Sequence, residues 1–98
     1  MSRYILSPQT TADLESIAEY YGDRSPDYAD RLIGKLTRKF EFVGRFPGAG
    51  TPVDDLSPSL RKTPVEGYIV YFRKSPAGAD IVRVIHGARD VSADDFAD

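Results

Sequence analysis

The sequence predicts an α+β domain in which a helix hairpin packs on one face of a small, mainly antiparallel sheet, in the order β-α-α-β-β-β. Three observations carry that expectation. Apolar residues recur at helical spacing from Leu14 to Phe46. From Leu60 onward they alternate with polar ones, the period of strands. Short segments rich in glycine and proline punctuate both patterns. The 98 residues fit one domain, residues 1–98.

Tyr4 to Ser7, "YILS", reads as a short strand of aromatic and branched residues. Ser7 and Pro8 then suit the cap and first position of a helix. Leu14, Ile17, Ala18 and Tyr21 give that helix one apolar face, and Gly22 ends it. Ser25-Pro26 starts a second helix by the same device. Ala29, Leu32, Ile33, Leu36, Phe40, Val43 and Phe46 sustain its stripe over about five turns. "FPGAGTP" stops it, and the chain is loop from Gly44 to Ser59. "LRKTPV", "GYIVYFRK" and "DIVRVIHG" follow as three strands, with turns at "EG" and "SPAGA". Connections this short favour an antiparallel meander. Pro64 has no amide hydrogen, so its strand lies at an edge or breaks there.

Alternation assigns faces. Val70, Phe72, Val82 and Val84 are expected beneath the helices, with His86 on the same side. Arg73 and Arg83 are expected to neighbour each other on the opposite, largely bare face.

Composition narrows the chemistry. There is no cysteine and one histidine, so a disulfide scaffold, a thiolate site and a histidine-rich metal site are excluded. No metal and no cofactor are expected. "MSRYILSPQ" lacks the long apolar run of a signal peptide, and no stretch approaches the roughly 18 apolar residues of a membrane span. A cytoplasmic location follows as the expectation. The net charge of −2 is a poor basis for gripping a phosphate backbone, so strong direct nucleic-acid binding is not expected.

The chemistry-bearing residues are few. His86 ends the last strand and could serve as a general base, but a lone histidine there more simply bonds a backbone group. Arg61, Lys62, Arg73, Arg83 and Arg89 are the basic side chains of the sheet half. They could clamp phosphate or receive the acidic side chains of a protein partner. Asp54-Asp55 and Asp94-Asp95 lack metal-ligand spacing and read as solvated.

Several of these segments together resemble a known family. The element order, "LSPQTTADLESIAEYY" after the first strand, "FPGAG" after the second helix, "YIVYFR" and the closing "IVRVIHGARD" look like a ParE-type toxin of the RelE/ParE toxin–antitoxin superfamily. His86-Gly87-x-Arg89-Asp90 is the most specific piece, and Asp13-Leu14 is a weaker echo. The resemblance implies one of two activities. RelE-type members cut messenger RNA on the ribosome, and ParE-type members inhibit DNA gyrase. The tail "GARDVSADDFAD" has no tyrosine and four aspartates, which with the net charge favours gyrase inhibition.

The implied protein is a bacterial type II toxin that arrests growth and is held inactive in complex with a ParD-like antitoxin. It stabilises a plasmid or chromosome and has no catalytic residues. Arg61, Lys62, Arg73, Arg83 and Arg89 are its candidate contacts to target or antitoxin, and His86 and Gly87 shape the strand end. The alternatives are a RelE-like endoribonuclease and a weakly toxic module that only binds its antitoxin.

Overall fold

A computed structural model describes residues 3–97; Met1 and Ser2 of the N-terminal stretch and Asp98 of the acidic tail lie outside it. The order is β1 (Tyr4–Leu6), α1 (Pro8–Arg24), α2 (Pro26–Arg45), β2 (Thr51–Pro52), β3 (Arg61–Val65), β4 (Tyr68–Ser75), β5 (Gly78–His86) and a final 3-10 turn, Ala93–Phe96. The expected β-α-α-β-β-β order is therefore present, with the two-residue β2 added inside the segment expected to be loop.

Ser7 caps α1 as its sequence suggests: its hydroxyl accepts from the Thr10 N–H at 3.0 Å. Gly22 does not end α1. The helix runs on to Arg24, and the chain turns extended at Ser25, where the following proline disfavours helical backbone. Ser25 makes no side-chain cap bond to α2, so the cap-plus-proline device is only half used there.

The sheet order is β1-β5-β4-β3-β2. β1 runs parallel to β5, and the other pairs are antiparallel. Glu66 and Gly67 join β3 to β4 with positive φ at both positions (50° and 84°), the backbone of a tight hairpin turn. β3 continues through Pro64, which lies beyond the reach of β2, so an absent amide hydrogen costs no ladder bond.

The helices cover one face. Ile17, Leu32, Leu36, Phe40 and Val43 pack on Val65, Val70, Phe72, Ala79, Ile81 and Val84. Ala18, expected on that face, is exposed. Val82 is likewise misassigned. The register slips between Tyr71 and Phe72, which oppose Arg83 and Ile81, so Val82 is a bulge residue without a partner. Ile81 takes the place expected for Val82, and Val82 packs on the far side.

That far side is not bare. Val53 and Leu60 from the β2–β3 loop and Phe96 from the tail bury Tyr71 and Ile85 there, joined by Leu56, Ile69, Val82 and Val91. The Tyr71 and Phe96 rings lie 4.7 Å apart. Two cores therefore sandwich the sheet.

Candidate functional site

Past Ile81, β5 has no strand on its outer edge, and α1 serves that edge with side chains. The Ser7 hydroxyl donates to the Val82 carbonyl at 2.9 Å, and the Thr10 hydroxyl to the Ile81 carbonyl at 2.9 Å. One turn further, Asp13 accepts from the Val84 N–H at 2.9 Å. Ser7, Thr10 and Asp13 are spaced three apart, so one helix face presents all of them to the strand.

Asp13 also holds Arg83. The Arg83 Nε and Nη2 reach its two oxygens at 2.9 Å each, a bidentate pair. Both side chains are mostly buried, with 17 % and 14 % of their surface exposed. This bonding holds the guanidinium above its usual pKa against the opposing effect of burial. The Arg83 Nη1 donates to the Asp95 carbonyl at 3.3 Å, so one arginine links the helix layer to the tail.

The tail is closed by Asp95. Its carboxylate accepts from the Ser92 N–H at 2.9 Å and from Arg89 Nη2 at 2.6 Å. The Ser92 backbone bond first, then Arg89, lowers its pKa. Burial, and then the Asp95 charge, raises that of the neighbouring Tyr71 hydroxyl. Asp95 was expected to be solvated; it is a structural anchor instead.

The expected pairing of Arg73 with Arg83 does not occur. Asp80 opposes Arg73 across the strands, and Tyr71 opposes Arg83. Arg73 donates to the Ser57 hydroxyl and to the Pro58 carbonyl, the latter at 3.1 Å. Arg61 binds the carbonyls of Ala49, Gly48 and Gly50 at 2.8, 2.7 and 3.1 Å. There the chain needs glycine: Gly50 has φ +77°, and a Cβ on it would lie 2.4 Å from the Lys62 carbonyl. Lys62 alone of the five basic candidates makes no polar contact among the described residues.

His86 was expected to face inward beneath the helices. It lies toward them but is exposed at the end of β5. Its ring meets Tyr68 edge-on at 5.1 Å, and Nδ1 accepts from the Ala88 N–H at 3.1 Å. The Gly87 N–H donates to the Gly67 carbonyl at 2.8 Å, which ties the chain's exit from the sheet to the β3–β4 turn. A cavity of about 370 Å³ opens beside His86, with Tyr20, Tyr68, Asp13, Arg83 and Arg89 in its wall. Burial, and then a bond with Tyr21, raises the Tyr68 hydroxyl's pKa, so that group keeps its proton at neutral pH.

A second depression, about 410 Å³, runs between α2 and the end of β3. Lys35, Arg38, Lys39, Phe42, Val65 and Glu66 are among its lining residues. Phe42 and Phe46 are 46 % and 57 % exposed, with ring centroids 5.2 Å apart. Lys35 pairs with Glu66, which lowers the Glu66 pKa. This patch went unnoticed in the sequence. Phe46, expected on the apolar stripe, is instead exposed just past the end of α2, four residues from Phe42, which lies off that stripe among basic residues.

Among the described residues, no group of three or more His, Cys, Asp or Glu could hold a metal ion. No helix among them is long and apolar enough to cross a membrane.

Known proteins agree with this architecture. The chain is 33 % identical over 92 residues to Toxin ParE1 of Mycobacterium tuberculosis, covering 92 % of this chain and 94 % of that one, in both the CDC 1551 and H37Rv strains. A solved structure titled as the chromosomal ParDE TA system from P. aeruginosa shares the fold at a TM-score of 0.73 and 21 % identity, covering 88 % of this chain and 96 % of its own. Residues 4–91 match the model of the ParE toxin of the type II toxin–antitoxin system, parDE. With its fold, its match to that model and its identity to a curated ParE toxin in agreement, the chain belongs to the ParE toxin family of type II toxin–antitoxin systems.

Proposed function

We propose that this chain is a cytoplasmic toxin that arrests growth by binding DNA gyrase, without catalysis of its own, and that a ParD-like antitoxin neutralises it. The observation that carries the reading is the engagement of its arginines. Arg61, Arg73, Arg83 and Arg89 are each tied to a carbonyl, a hydroxyl or a carboxylate of this chain. A phosphate clamp needs guanidinium donors free to converge on its ligand. Arg83 and Arg89 instead help build the surface around the strand end, and Arg61 and Arg73 hold loops at the other end of the sheet. A protein target needs shape and a few exposed anchors, and net charge −2 does not hinder it.

The antitoxin reading rests on family membership and on the α2 depression. Lys35, Arg38 and Lys39 beside two exposed phenylalanines suit an acidic amphipathic segment. Such a segment, disordered alone, would order on binding.

The cavity at His86 is the observation that favours a second reading, RNA cleavage by a RelE-like mechanism. Purified protein added to gyrase supercoiling reactions and to ribosomes programmed with messenger RNA separates the two. Loss of supercoiling with intact RNA is expected. Cut RNA with unaffected gyrase would overturn the gyrase reading. Expression without growth arrest would leave only an antitoxin-binding role.

A further inference from the structure

We propose that the cavity beside His86 is an anchor pocket that receives an acidic side chain of the toxin's protein target, an inference that rests on the gyrase reading above. The hydrogen-bond inventory of its wall leads to it. Asp13 is the only acid among the described residues that line the cavity. Its carboxylate already accepts from Arg83 Nε, Arg83 Nη2 and the Val84 N–H. Arg83 cancels its charge, so Asp13 does not repel an anion.

The groups still free are donors. His86 Nδ1 accepts from the Ala88 N–H at 3.1 Å, which puts the proton of a neutral ring on Nε2. No described residue takes that proton. Arg89 gives Nη2 to Asp95, while its Nε and Nη1 bond no described residue and half of its side chain is exposed. The hydroxyls of Ser16 and Tyr20 lie three and seven residues beyond Asp13, on the same face of α1, and bond no described residue either.

Donors grouped around a neutralised acid are complementary to a carboxylate. Ile17 and Val84, both buried, add apolar wall for the methylene stem of such a side chain. A volume of about 370 Å³ is small for a ligand pocket and suits one anchoring side chain. A phosphate backbone calls for several converging cations, and here the one guanidinium with free donors is already shared with Asp95.

Ser16 gives the test, because it is exposed, unbonded and on a helix that accepts long side chains. Ser16→Glu places a carboxylate in the pocket, and Ser16→Lys places a cation of similar length there. Ala18→Glu adds the same negative charge at an exposed position of α1 outside the pocket's wall. Each is checked for folding by thermal melting and measured for binding to purified gyrase without DNA. Ser16→Glu should weaken binding at least about tenfold. Ser16→Lys should bind at least as tightly as the unaltered chain, and Ala18→Glu should bind equally. Unchanged binding by Ser16→Glu overturns the pocket and leaves the gyrase reading standing. Equal losses from Ser16→Glu and Ser16→Lys would show a pocket indifferent to charge and overturn the acidic anchor. An unaltered chain that does not bind gyrase overturns both readings. If the unaltered chain cuts RNA on ribosomes and Ser16→Glu does not, the pocket belongs to phosphate and the proposal fails.

Discussion

Asp13 grips the backbone of Val84 and the side chain of Arg83 at once, with three bonds of 2.9 Å from one carboxylate. It lies 70 residues from Arg83 in sequence. Helix α1 is thereby fastened to the open edge of β5, the same edge that leads to His86. Replacing Asp13 by Ala leaves a mostly buried guanidinium and an amide without partners. A cost of about 2–3 kcal/mol is expected, since bonds to charged groups contribute more than neutral ones. Urea unfolding measures it. Adding Arg83→Met should recover part of the loss, because the stranded charge is gone. A double variant no more stable than Asp13→Ala would refute this account of the pair.

The tail gives a pH dependence. The bonds to Asp95 lower its folded pKa, so its contribution is full above the unfolded value of about 4 and is lost as pH falls through the folded value. Phe96 should therefore leave Tyr71 on acidification below pH 4, seen as a change in their ring resonances, before the helices unfold. Asp95→Asn should show the loosened tail already at neutral pH and no acid step there.

Phe40 is fully buried and touches Tyr4, with centroids 5.6 Å apart. It joins α2 to the first strand. Phe40→Ala should cost about 3–5 kcal/mol and bring a domain of this size close to unfolding. Thermal melting equal to wild type would contradict the packing.

What could be read from the sequence follows from the range of each interaction. Helix periodicity is local, so Leu32, Leu36, Phe40 and Val43 were assigned correctly to the core. Alternation is local too, and it worked for Val70, Phe72 and Val84. It failed at Val82 because one extra residue in β5 breaks the period without any glycine or proline to mark it. His86 has the expected side but not the expected depth, because it is the last residue of β5 and nothing packs over a strand end. Asp13 was visible only as half of an Asp-Leu echo, because the groups it serves lie at the far end of the chain. Asp95 reads as solvated for the same reason: its aspartate-rich surroundings look like a free tail, and only the packing of Phe96 on Tyr71 shows that the tail is anchored.

The last prediction concerns His86 and Arg89 together. His86 Nδ1 accepts from the Ala88 N–H, a bond that a glutamine side-chain oxygen can also accept. Its ring is exposed, and nearby Arg83 and Arg89 are held by Asp13 and Asp95. A gyrase inhibitor needs the shape of this strand end and not a proton acceptor. His86→Gln should then keep nearly full toxicity. Arg89→Ala removes the 2.6 Å bond to Asp95, loosens the tail and should reduce toxicity more. A ribonuclease inverts that order, because losing a general base lowers rate by about 10²–10⁴-fold. Growth arrest by both variants, read beside supercoiling and RNA cleavage, distinguishes the cases. A folded His86→Gln protein that no longer arrests growth would count against gyrase inhibition and direct attention to the cavity between His86, Tyr20 and Tyr68.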